Sequence, residues 1–109
     1  MAILKFKAGV IVPKVTIIAA AVVNAANDLK IDGEIWVTAG RDGKHVSNSK
    51  HYYDQALDIR TKNLDNKTCE LFVRVIRRRL GKDYDVILES SGKPNEHLHI
   101  EYDPKNQGR

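Results

Sequence analysis

Two stretches of the chain carry apolar residues at helical spacing, and five shorter ones read as strands. After Pro13, which suits the first turn of a helix, Val15, Ile18, Ala19, Val22, Val23 and Ala26 form one apolar stripe. A second helix is expected after Asp65-Asn66, which supply a cap. Its apolar positions are Cys69, Phe72, Val73, Ile76 and Leu80, and Gly81 supplies the stop. Strands are expected at Ile3–Phe6, Glu34–Thr38, Ala56–Ile59, Asp85–Leu88 and Leu98–Tyr102, with Trp36 in the core. Asp32-Gly33 and Ser90–Asn95 are turns, Ala39–Lys50 is a polar loop, and Asp103–Arg109 is a tail. The order strand, helix, strand, strand, helix, strand, strand predicts an α+β fold, a mainly antiparallel sheet with two helices packed on it.

The chain has 109 residues, which fits one domain, residues 1–109, with a single modest core. With 42% hydrophobic and 29% charged residues the composition is that of a globular chain and argues against disorder. The net charge of +4 and pI near 9.3 suit an anionic partner without selecting one. Cys69 is alone, so there is no disulfide framework and no cysteine-based zinc knuckle; on an apolar helix face it is expected to be buried and inert. Val10–Ala26 is apolar, but Pro13, Lys14, Thr16 and Asn24 interrupt it short of the roughly 20 residues a membrane span needs. It reads as a buried helix, with neither membrane insertion nor a signal peptide.

The histidines change the picture. All four fall into two groups, His45 with His51 and His97 with His99, each with carboxylates nearby. Histidine is the side chain best suited to hold zinc or move protons near neutral pH. His97 and His99 share a strand face. His51 and Asp58, seven apart, meet only if a turn separates the loop carrying the first from the strand carrying the second. His51, Asp58 and one histidine of the second pair would give three protein ligands and leave a position for water, as catalytic zinc sites require. A carboxylate must then accept the proton of that water. Glu96, three before His99, is the first candidate and Glu89 the second: Glu96 must sit in the turn after Pro94, and if the strand began earlier Glu89 would take the role.

Ser49-x-His51-x-x-x-x-Ala56-x-Asp58 resembles the Ser-x-His-x-x-Gly-x-Ala-x-Asp signature of the zinc D,D-peptidases. These form the D-alanyl-D-alanine carboxypeptidase and dipeptidase family, which includes phage endolysins. Glu96-x-x-His99 resembles the family's second element, an acidic base three residues before the last zinc ligand. The likeness extends to the Hedgehog signalling domain, which shares this fold. It is carried there by Val37-Thr38-Ala39-Gly40, Asp42-Gly43-x-His45, His51-Tyr52, Asp58-Ile59 and His97-x-His99, and covers about residues 35–102. Asp54 stands where the signature has glycine, and aspartate tolerates left-handed backbone better than most residues. Ala39 replaces an acidic residue of Hedgehog's calcium segment, so calcium binding is not implied.

The resemblance implies a Hedgehog/D,D-peptidase fold and a Zn²⁺ ion held by His51, Asp58 and His99. It makes Glu96 the general base, with His97 and His45 lining the cleft as oxyanion stabilisers and Arg41 gripping a substrate carboxylate. The function it implies is hydrolysis of bacterial cell-wall peptides, D-Ala-D-Ala or related peptidoglycan bonds. The chain would act as a monomer made in the cytoplasm and, in a phage setting, released to the wall by a lysis partner. The alternative is a non-catalytic zinc-binding interaction module of the same fold. The arginine-rich end of the second helix (Arg74, Arg77, Arg78, Arg79, Lys82) raises nucleic acid as a third reading. Favourable charge at a helix C-terminus explains it better, since no aromatic residues are interleaved for stacking; no nucleic-acid partner is expected.

Overall fold

A computed structural model describes residues 5, 7–40, 49 and 53–104. The elements run α1 (Lys14–Asp28), β1 (Val37–Ala39), β2 (Ala56–Arg60), α2 (Asn66–Leu80), β3 (Tyr84–Glu89) and β4 (His97–Tyr102). The four strands form one antiparallel sheet in the order β1-β2-β4-β3, so the α+β class with two helices and an antiparallel sheet holds. The strand expected at Ile3–Phe6 lies, Lys5 apart, outside the described residues.

Alternation along the strands sorts the sheet into two faces. Leu57, Ile59, Val86, Leu98 and Ile100 are buried with Ile18, Val22 and Ala25 of α1 and Phe72 and Ile76 of α2. Both helices therefore cover the same face, and the opposite face carries the polar members of each strand. Burying these side chains, each worth about 1.5–3 kcal/mol, drives the arrangement.

Local chemistry fixes the ends of the elements. The Asp65 carboxylate accepts the Thr68 N–H at 2.7 Å and caps α2, which also holds the Asp65 pKa below its ordinary value. Gly81, at φ +83°, ends the helix in a conformation that favours glycine. Two members of the arginine cluster are engaged within the fold: Arg77 donates twice to the Val86 carbonyl, and Arg79 pairs with Asp28 at the end of α1. Among the described residues no helix is long and apolar enough to cross a membrane.

Some expectations shift. The first strand is shorter than Glu34–Thr38 and its register slips opposite β2, as happens at a sheet edge with one partner. Trp36, expected in the core, is 57% exposed beside the β1 edge of the sheet. On α1 the buried meridian runs through Ile18, Ala21, Val22, Ala25 and Ala26, leaving Ala19 and Val23 exposed rather than in the stripe.

Candidate metal centre

The open face gathers Asp58 from β2, His97, His99 and Glu101 from β4, and Glu89 from β3. Register brings them together: Asp58 lies opposite His99, and Glu89 opposite His97. Such pairs approach to about 4.5–5.5 Å between backbones, close enough for side chains to meet.

His99 is gripped from both sides. Its Nδ1 lies 2.8 Å from Asp58 Oδ1, and its Nε2 lies 2.8 Å from Glu101 Oε1. Both nitrogens can donate together only in the imidazolium form. The Asp58 hydrogen bond is the strongest influence on the His99 pKa; burial opposes it, Glu101 adds to it, and the pKa rises to about 9.

His97 is held differently. Its Nδ1–H donates to the Asn95 carbonyl at 2.9 Å, and its Nε2 meets Glu89 Oε1 at 3.0 Å and Asp58 Oδ2 at 3.9 Å. Burial pulls the His97 pKa down, but Asn95, Asp58 and Glu89 outweigh it and the ring ends above the ordinary histidine value. The backbone bond fixes the ring, so Nε2 is the nitrogen presented to the cleft.

Asp58 Oδ1 and His99 Nδ1 lie 2.8 Å apart, and a carboxylate oxygen and an imidazole nitrogen are both donor types that zinc accepts. A carboxylate on the far nitrogen, here Glu101, is the usual means of orienting a metal-binding histidine. Among the described residues, the half-buried Asp85, Glu101 and Asp103 also place three carboxylates close enough together to hold a metal ion.

Of the residues singled out from the sequence, Asp58, His97 and His99 are brought together. Arg41, His45 and His51 lie outside the described residues. Glu96 is where the turn was expected, immediately before β4, and lines the same cleft as Asp58 and His97, with its carboxylate held by hydrogen bonds. Oε2 accepts from the Thr61 hydroxyl at 2.9 Å, and Oε1 accepts the Gly92 N–H at 3.1 Å. Thr61 is fully buried. Glu89, the second candidate, is the carboxylate beside His97.

Asp54 adopts φ +55°, a left-handed conformation that glycine takes readily and most other residues resist. Its carbonyl accepts the Val15 N–H at 3.1 Å, tying the turn before β2 to the start of α1. Glu101, Asn95 and Thr61 were not singled out from the sequence. Only Glu101 carried a signal, two residues after His99 on one strand face.

A cleft of about 300 Å³ opens beside Asp58 and His97. A larger one, about 510 Å³, lies along α2 and includes Cys69, Arg74 and Leu88 but no histidine. Cys69 is buried, and burial pushes its thiol pKa up, away from the reactive thiolate. Comparison of the chain with protein-family models, curated proteins and solved structures gives no match in any of the three.

Proposed function

We propose that this chain is a zinc-dependent peptidase that hydrolyses bacterial cell-wall peptides next to a D-amino acid, with the fold of the D,D-peptidases and the Hedgehog domain. The observation that carries the reading is the conjunction on one sheet face of an Asp58–His99 donor pair with a separate Glu89–His97 pair at 3.0 Å. One pair suits a metal and the other suits proton transfer.

Asp58 and His99, with His51, would hold the ion through an oxygen and two nitrogens. When bound, zinc supplies a Lewis acid that polarises the scissile carbonyl and acidifies water. The remaining chemistry belongs to the chain. Glu89 accepts the proton of the attacking water and returns it to the leaving nitrogen. His97 presents Nε2–H to the oxygen of the tetrahedral species and stabilises its charge. Asn95 holds the His97 ring and Glu101 holds the His99 ring, so neither has to reorganise during the reaction. Glu96 supports the turn between β3 and β4 rather than acting as the base, and Arg41 and His45 remain candidates for substrate contact.

The test is zinc content together with hydrolysis of D-Ala-D-Ala and purified peptidoglycan, by wild type and His51→Ala. Wild type should carry one zinc and cleave, and His51→Ala should lose both properties. Zinc bound without cleavage of either substrate would favour the non-catalytic module. Failure to bind zinc would refute the reading.

A further inference from the structure

Two cations on the open face have no anionic partner among the described residues. Arg60 is two residues after Asp58, opposite His97 across the β2–β4 pair, and Lys62 follows in the turn after β2. Both line the 300 Å³ cleft with Thr38, Asp58, Asn95 and His97. Among the described residues neither is paired with a carboxylate, whereas Arg79 pairs with Asp28. The acids of the same cleft are otherwise engaged, Asp58 with His99 and Glu96 with Thr61 and Gly92. The cleft therefore has a positive rim beside its reactive end, and such a concavity concentrates anions. Its volume is at the small end of the range for ligand clefts, about 300–1,000 Å³.

We propose that Arg60 and Lys62 form a subsite for a free carboxylate of the substrate. The proposal rests on the peptidase reading and deepens it by naming what the substrate carries. Arg60 is one cross-strand step from His97, about 4.5–5.5 Å between backbones, and one peptide residue spans roughly 3.3–3.6 Å. The bound carboxylate thus lies within one or two residues of the scissile carbonyl. A guanidinium holds it by two parallel hydrogen bonds, and the lysine adds a point charge. The carboxylate can be the substrate's C-terminus, which makes cleavage exo, or an acidic side chain of the wall peptide, which permits endo cleavage.

The experiment compares zinc-loaded wild type, Arg60→Gln, Lys62→Gln and the double variant on three probes. These are N-acetyl-D-alanyl-D-alanine, its C-terminal amide, and an amidated peptide with a D-glutamate next to the scissile bond. The double variant should raise KM for an acid-bearing probe roughly tenfold or more, with kcat, zinc content and Tm little changed. Wild type acting on the probe lacking any carboxylate should show the same rise. Preference for the free C-terminus identifies the exo source, and preference for the D-glutamate peptide the endo source. Unchanged KM for both acid-bearing probes in the double variant overturns the subsite. If wild type cleaves none of the probes, the peptidase reading fails, and the subsite is judged by binding of the same probes followed by NMR. Acid-selective binding that the double variant loses upholds it, and binding that ignores either the carboxylate or the two substitutions overturns it.

Discussion

The two faces of the sheet are built from the same three strands, residue by residue in alternation, yet they obey opposite rules. Leu57, Ile59, Leu98 and Ile100 point into a closed apolar layer, where shape and volume decide the outcome. Asp58, His97, His99 and Glu89 point the other way, where partial burial concentrates charge and each of these four side chains is held by another. The helix-covered face fixes where the strands lie, and that register fixes which side chains meet on the open face. A one-residue slip of β4 would move His99 into the core and leave Asp58 facing an apolar side chain. The fold is thus the positioning device for the site.

The comparison breaks most visibly at the acids. Glu89→Gln should lower kcat by roughly 10²–10⁴-fold without removing zinc, as expected for a missing general base. Glu96→Gln should stay within a few-fold of wild type, since an amide still has a carbonyl to accept from Thr61 or Gly92. Steady-state kinetics of the two variants decides between them: a dead Glu96→Gln beside an active Glu89→Gln would return the base to Glu96.

On the covered face, Phe72→Ala should cost about 3–5 kcal/mol in urea unfolding, because Phe72 is fully buried between helix and sheet. Loss of zinc binding in this variant should follow unfolding rather than precede it. Glu101→Gln tests the open face: zinc affinity, read by competition with a chelator, should fall about 10–100-fold while the fold is retained.

The pH dependence of the metal-free protein sharpens the contrast further. The His99 pKa is about 9 in the folded chain and near 6.5 when unfolded. A raised histidine pKa stabilises the fold fully below pH 6.5, and this contribution is lost as pH rises through 9. Stability in EDTA should therefore fall across that window, by on the order of 2 kcal/mol, and His99→Asn should flatten the fall. Zinc requires the neutral ring, so its apparent affinity should rise over the same window. The smallest effect belongs to the turn before β2. Asp54→Val should cost roughly 1–2 kcal/mol, seen in Tm, because a β-branched residue resists φ +55°.

Much of the covered face was legible in the sequence. Asp65, Gly81 and the apolar positions of α2 mark that helix almost to its ends, because capping and helical periodicity are local. The pairing of His97 with His99 was also legible, since alternation alone puts them on one face. Trp36 was misjudged because propensity says nothing of whether a strand is at an edge. The direction of Glu96 was hidden because its motif spacing matched while its partner, Thr61, lies 35 residues away and is set by tertiary packing. Glu101 was open to the alternation argument applied to His97 and His99.

The most direct measurement is a zinc titration of the histidine-labelled protein, followed through the ring nitrogens by NMR. The expected result is one equivalent of zinc on His99 Nδ1, with Nε2–H still donating to Glu101. His97 should keep its Nδ1–H on Asn95 and remain free of metal. Coordination through His97 instead, or no response from His99, would contradict the division of the open face into a metal pair and a proton-transfer pair.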